Sequence, residues 1–251
     1  MYLQIIRILL APAIAFAFAF SMAAAAQDYQ TIFEKAVSPT TCPEKMLPTV
    51  FIITGQKEIW MVIFSEFGLR AELAEAVVFP ELIRYSALQD FIETTAVKVL
   101  YLQGGTRGAD FSIGRFQMKP SFAEALERDW MQTALRHEYE LYFDLADNVY
   151  ARRTRIRRLD APEWQCIYLA LFLKLLYHRF PELADKETIE QVRFCATAYN
   201  ASFRDSYETI RAMSDRRFFH TDFMPTAGTV YYSYSDIAVS YYKSTHGDRI
   251  W

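Results

Sequence analysis

Glu81 is the residue of this chain whose sequence surroundings best suit acid chemistry. It directly follows the apolar residues 77–80 (VVFP), so its carboxyl group is expected to lie against apolar neighbours. Burial disfavours the charged form of a carboxyl group and raises its pKa. A carboxyl group that keeps its proton near neutral pH can protonate a weakly basic leaving oxygen. Glu81 is therefore the candidate catalytic acid, and a helix-end glutamate paired with Arg84 is the open alternative.

The glycines are concentrated in one other segment. Residues 104–120 (GGTRGADFSIGRFQMKP) hold four of the eight glycines of the chain. Long loops in compact helical proteins are often functional, because a rigid scaffold positions them while their backbone stays adaptable. We expect this loop to fold over a ligand.

The segment that ends at Glu81 resembles the catalytic helix of the lytic transglycosylases, which belong to the lysozyme-like superfamily. In residues 68–81 (GLRAELAEAVVFPE) an aliphatic run leads into a glutamate, as it does in that family. Two features depart from the family pattern. Leu82 stands where the family has serine, and the 36 residues from Glu81 to Gln117 form a longer interval than is usual. Glu93 lies nearer to Gln117 but has no aliphatic run before it, so it is the rival carboxylate.

Two further segments carry the resemblance. Residues 112–120 (SIGRFQMKP) are similar to the GxxQxxP segment of the family, with matches at Gly114, Gln117 and Pro120. Residues 198–201 (AYNA) match its AYNAG signature up to Ser202, which replaces the glycine. All three segments occur in the family's order.

The resemblance implies a single, mainly α-helical, lysozyme-like domain with a cleft between the Glu81 helix and the glycine-rich loop. It implies cleavage of the β-1,4 bond between MurNAc and GlcNAc in peptidoglycan, with no cofactor and no metal. The implied catalytic residue is Glu81, acting as acid and then as base. The implied substrate-binding residues are Ser112, Gly114, Gln117, Tyr199 and Asn200. Two alternatives stay open, namely an inactive cell-wall-binding or scaffolding protein on the same fold, and a helical structural protein.

The N-terminus has the pattern of a signal peptide. Arg7 is the only charged residue before an apolar core at 9–20, and small residues lead to a cleavage site after residue 26. We therefore expect export to the periplasm or beyond, no stable membrane insertion after cleavage, and one domain over residues 27–251. A retained membrane anchor is the alternative.

The composition is that of a folded globular protein. The 251 residues are 52% hydrophobic and 23% charged, and the formal net charge of −3 gives no reason to expect a nucleic-acid partner. Cys42, Cys166 and Cys195 form no closely spaced pair, which makes a zinc site improbable. Cys166 and Cys195 lie in apolar surroundings and are expected in the core.

Apolar residues recur at helical spacing along most of the chain. The pattern predicts helices over about 57–67, 71–85 and 88–103, and further helices from 121 to 213. The most apolar run after the N-terminus, residues 167–177, predicts a buried core helix.

A run of arginines lies between two of these helical segments. Residues 151–158 (ARRTRIRR) contain five of them, and acidic residues precede the run at 138, 140, 144 and 147. This pattern predicts a solvated face with ion pairs, with polyanion binding as the alternative.

Overall fold

The computed structural model describes residues 57–88, 95–222 and 225–246. The described chain is mainly α-helical, which confirms the mainly α part of the predicted fold class. Its helices are α1 Lys57–Glu66, α2 Ala71–Leu88, α3 Thr95–Gly104, α4 Pro120–Met131, α5 Leu135–Glu138, α6 Val149–Asp160, α7 Pro162–Arg179, α8 Thr188–Asn200, α9 Tyr207–Ala212 and α10 Tyr234–His246. Two 3-10 turns, Gly105–Arg107 and Pro181–Asp185, follow α3 and α7.

A small antiparallel sheet interrupts the helices near the C-terminus. Its strands are β1 Arg217–Phe219 and β2 Tyr232–Ser233, with Arg217 opposite Ser233 and Phe219 opposite Tyr232. Phe218 faces solvent while Phe219 is buried, because successive side chains of a strand point to opposite sides. The sheet leads directly into α10.

The central helix is α7, which packs against α1, α2, α4 and α6. Its residues from Tyr168 to Leu173 are fully buried, as the apolar run predicted. Cys166 and Cys195 are also fully buried in the core, as predicted. A helix that is apolar on all sides must be covered on all sides, and α7 meets that condition.

Helix α2 packs between α8 and α10 and also contacts α1. It runs to Leu88, three residues beyond the predicted end, so Glu81 lies inside the helix rather than at its end. Pro80 also lies inside α2 and has no N–H to donate to the carbonyl of residue 76. The helix continues past it because the side chains from Leu73 to Ile83 are almost all buried against the neighbouring helices.

The arginine run forms part of α6, and the predicted solvated face is wrong for two of its members. Arg152 and Arg155 are buried, whereas Arg153 and Arg157 are exposed. Arg155 reaches Glu127 on α4, and Arg152 donates to the carbonyl oxygens of Leu102 and Gln103 at the end of α3. Arg152 also pairs with Asp147, one of the expected acidic partners. The partners on α3 and α4 belong to other helices, so the local pattern of charges did not reveal them.

Several predictions concern residues outside the described ranges. These are the signal peptide at residues 1–26, the placement of Cys42 and the rival carboxylate Glu93. Within the described ranges, no helix combines the length and the apolar character needed to cross a membrane.

Candidate active site

Glu81 lies in the middle of α2, and its side chain is buried close to charged groups. Only 5% of its surface is exposed, so the carboxyl group is buried rather than open to the cleft that the family resemblance implied. Burial raises its pKa from 4.5 to about 7, and the nearby charges of Arg84 and Lys119 oppose that shift without cancelling it. At this pKa the carboxyl group is protonated in a large fraction of molecules near neutral pH, so it can both donate and accept a proton.

Arg84 is the one ion-pair partner of Glu81 among the described residues. Its Nη1 lies 3.3 Å from Glu81 Oε2, which is long for a charge-assisted hydrogen bond. The same guanidinium donates through Nε to the carbonyl oxygen of His220 at 3.1 Å and lies 4.5 Å from the centre of the Phe219 ring. Arg84 therefore divides its interactions between the carboxylate and the segment that follows β1.

Two tyrosines complete the surroundings of Glu81. Tyr199, on α8, and Tyr234, at the start of α10, have ring centres 6.4 Å apart. Burial raises the pKa of both hydroxyl groups well above the ordinary value, and the charge of Glu81 adds to the effect on each. The hydroxyl of Tyr234 is buried and has no hydrogen-bond partner among the described residues.

The glycine-rich loop contacts this cluster through Tyr199. The Tyr199 hydroxyl donates to the carbonyl oxygen of Phe116 at 2.8 Å, which ties α8 to the tip of the loop. The tip is a tight hairpin in which Ile113 and Met118 exchange backbone hydrogen bonds of 2.9 and 3.1 Å. The AYNA helix and the glycine loop therefore meet beside Glu81, although the three segments are distant in sequence.

Gly114 and Gln117 both have positive φ in this hairpin, 68° and 49°. A Cβ on Gly114 would also lie 1.4 Å from Nε2 of Gln165, so any side chain there would collide with α7. The turn therefore requires glycine at 114 for two reasons, conformation and space. The match of Gly114 to the family segment has a structural basis in this chain.

Gln165 is a positioning residue that the sequence analysis missed. From α7, its Oε1 accepts from the Phe116 N–H at 2.9 Å, and its Nε2 donates to the carbonyl oxygens of Ile113 at 3.3 Å and Leu159 at 2.5 Å. A buried amide with all these bonds fixes the loop rigidly to the core. The available signal was a lone glutamine at the start of the most apolar helix.

The other predicted binding residues lie around the loop. Gln117 is buried and donates from Nε2 to the carbonyl oxygen of Gly114 at 2.8 Å, so that N–H stabilises the turn. Ser112 is partly buried just before the hairpin. Asn200 lies at the end of α8 and, together with Tyr234, lines a small pocket.

The described residues contain no group of three or more histidine, cysteine or acidic side chains placed to hold a metal ion. Comparisons of the chain with protein-family models, with curated proteins and with solved structures gave no match.

Proposed function

We propose that this protein is a lysozyme-like enzyme that cleaves the β-1,4 bond between MurNAc and GlcNAc in peptidoglycan. The observation that carries the proposal is the pKa of Glu81, which burial raises to about 7 beside two tyrosine hydroxyls and a glycine-rich loop. A carboxylic acid kept protonated near neutral pH is what protonation of a glycosidic oxygen requires.

Glu81 would act twice in this reaction. As an acid it donates its proton to the glycosidic oxygen while the bond from that oxygen to C1 of MurNAc breaks. The charges that act on Glu81 come from Arg84 and Lys119, so this part of the described chain offers no second carboxylate such as most glycosidases use. The N-acetyl group of the substrate would assist instead. The Glu81 carboxylate then takes the proton from the C6 hydroxyl as that oxygen bonds to C1, which gives a 1,6-anhydro end.

Substrate must first reach Glu81, which is 5% exposed. Arg84 is the side chain best placed to move aside, because its contact with Glu81 is long and it is 24% exposed. Movement of Arg84 away from the carboxylate would open the site and remove a charge that lowers the pKa of Glu81. Loss of that charge favours the acid form of Glu81 in the substrate complex.

The second candidate is a cell-wall-binding protein on the same fold that does not cleave glycan. The burial of Glu81, its ion pair with Arg84 and the presence of Leu82 in place of serine favour this alternative. In that case the carboxylate would be a structural partner of Arg84.

Mass spectrometry of muropeptides after incubation of the mature protein with purified sacculi tests the proposal. We expect anhydro-muropeptides from the wild type, and a loss of about 10²–10⁴-fold for Glu81→Gln, which keeps the side-chain shape but cannot donate a proton. Glu93→Gln is the matched control and should keep the wild-type rate. Retained binding to sacculi without any cleavage by the wild type would establish the second candidate.

Export is part of the same proposal and has its own test. The pattern of residues 1–26 supports a mature N-terminus at Gln27 outside the cytoplasm. N-terminal sequencing of the protein from the producing cells should recover Gln27. Recovery of intact Met1 from a membrane fraction would contradict it.

A further inference from the structure

The loop between α5 and α6, together with the first turn of α6, exposes a cluster of apolar side chains. Four of the eleven large apolar side chains that are exposed in the described chain lie between residues 142 and 150, namely Tyr142, Leu145, Val149 and Tyr150. Tyr150 is 77% exposed. Such a concentration of exposed apolar side chains is typical of a surface that contacts another molecule.

The loop runs beside α6 in the opposite direction. Phe143 is buried, and the guanidinium carbon of Arg158, near the end of α6, lies 4.9 Å from the centre of its ring. Asp147, near the end of the loop, accepts through Oδ1 from Nε of Arg152 at 2.9 Å, in the first turn of α6. The side chain of Asn148 then caps the helix. Because contacts hold the loop near both of its ends, the loop and the helix form one fixed surface.

The exposed side of residues 142–157, here called the α6 surface, carries charges of both signs. Arg153 and Arg157 lie one helical turn apart on the exposed side of α6, and neither forms an ion pair with a described residue. Asp144 on the loop is likewise exposed and has no ion pair in the described chain. The side chain of Asp147 is 83% exposed and uses only Oδ1 to bind Arg152. The α6 surface therefore presents an acidic line on the loop beside a basic line on the helix.

We propose that the α6 surface is where two copies of this chain associate. A polyanion would be attracted by the arginines but repelled by Asp144 and Asp147, and a polycation would be repelled by the arginines. A second copy satisfies both lines, because a two-fold axis that runs between them brings the acidic line of each copy opposite the basic line of the other. The exposed apolar side chains, above all Tyr150, become buried in the same contact. Association through this surface does not depend on whether the protein cleaves glycan.

Sedimentation equilibrium of the protein isolated from the producing cells measures this association. We expect a dimer whose dissociation constant rises about tenfold between about 0.05 M and about 0.5 M salt, because salt screens the contacts between charged side chains. Tyr150→Ser should weaken the dimer about tenfold as well, since tyrosine rings are a common source of binding energy at interfaces. A wild type that stays monomeric up to about 100 μM would overturn the inference.

Charge reversal tests whether the two lines pair across the axis. Arg153→Glu with Arg157→Glu makes the α6 surface acidic. Asp144→Lys with Ala146→Lys makes the loop basic and keeps Asp147, which binds the buried Arg152. We expect each double variant to be monomeric by itself and an equimolar mixture of the two to form a heterodimer, because only the mixture restores opposite charges across the axis. Recovery of the heterodimer would also show that both variants fold.

Arg211→Glu with Arg217→Glu is the matched control, since both arginines are exposed and lie on α9 and β1, outside the α6 surface. This variant has the same change of charge as the acidic variant and should keep the dimer. A mixture of the two charge-reversed variants that stays monomeric would place the partner of the arginines elsewhere and overturn the inference. A dimer that survives either charge reversal, or that is lost equally in the control, would overturn it too.

Discussion

Among the described residues, two buried glutamates each face an arginine, and their surroundings differ. Glu127, on α4, is 1% exposed and accepts from Arg155 Nε and Nη2 at 2.9 and 2.6 Å. It also accepts from the Tyr168 hydroxyl at 2.5 Å and contacts Arg158 at 3.5 Å. Glu81 has a single contact of 3.3 Å with Arg84.

Glu127 shifts the pKa values of its hydrogen-bond partners. Burial by itself would lower the pKa of Arg155, but the hydrogen bonds and charge of Glu127 raise it above its ordinary value. Burial and the same carboxylate raise the pKa of Tyr168. Tyr101 extends the network, since it accepts from Arg155 and donates to Glu124. Glu127 therefore joins α4 to α6 and α7 through its hydrogen bonds, and Tyr101 connects the network to α3.

The comparison separates a buried carboxylate with a full set of hydrogen bonds from one whose pKa is raised by burial. A buried charge is tolerated when short hydrogen bonds replace the lost water, and Glu127 has them. Glu81 lacks such short hydrogen bonds, so burial raises its pKa. Groups left in this state are candidates for function, because a fold selected only for stability would pair or remove them.

The largest expected effect tests the structural role of Glu127. Glu127→Gln should destabilise the protein by about 3–5 kcal/mol, because Arg155 would remain buried with only the more exposed Glu124 as a charge partner. Chemical denaturation followed by circular dichroism measures the loss. Glu124→Gln is the control, since Glu124 is more exposed and should cost about 1 kcal/mol or less. Similar losses for both variants would contradict the role assigned to Glu127.

Glu81→Gln should stabilise the protein rather than destabilise it, and the size of this effect should depend on pH. The folded-state pKa of Glu81 is raised from 4.5 to about 7, so its contribution to stability is present below pH 4.5 and is lost as pH rises to 7. The variant cannot ionise and should gain up to about 3 kcal/mol relative to the wild type over that interval. Parallel denaturation curves at pH 4, 6 and 8 measure the gain. A constant difference across this range would show that Glu81 titrates normally.

Arg84→Gln should have a smaller effect on stability, and it tests whether Arg84 influences the pKa of Glu81. It removes the bond to His220 and the contact with Phe219, and we expect a loss of about 1–2 kcal/mol. Because Arg84 lowers the pKa of Glu81, the alkaline limb of the activity profile should move to higher pH. Rates on solubilised glycan strands between pH 5 and 9 would reveal this shift. An unchanged profile would show that Arg84 does not influence the pKa of Glu81.

Tyr199→Phe should have the smallest effect on stability. It removes one hydrogen bond, to the Phe116 carbonyl oxygen, at a cost of about 0.5–1.5 kcal/mol. Loosening of the hairpin should show as faster amide exchange at Ile113 and Met118, which pair across it. Exchange as slow as in the wild type would mean that Gln165 alone fixes the loop.

Local patterns in the sequence determined several features of this protein. Helical spacing predicted the mainly α fold, and the apolar run at 167–177 predicted the buried α7, because periodicity reports which face of a helix is covered. The apolar residues 77–80 indicated that Glu81 would be desolvated, and its pKa in the structure agrees with that reasoning.

The tertiary structure decided which polar groups meet. Asp147 pairs with Arg152, as the pattern of charges predicted, but Arg155 pairs with Glu127 across 28 residues, and Arg84 bonds to His220 across 136. Tyr234 and Gln165 carry no local signal of their positions beside Glu81 and the hairpin. A hydrogen bond depends on distances of a few tenths of an ångström, and these follow from how helices pack rather than from the residues next to each group. The sequence by itself therefore determined where helices form and which segments are apolar, and packing decided which buried glutamate has its hydrogen bonds satisfied and which has a raised pKa.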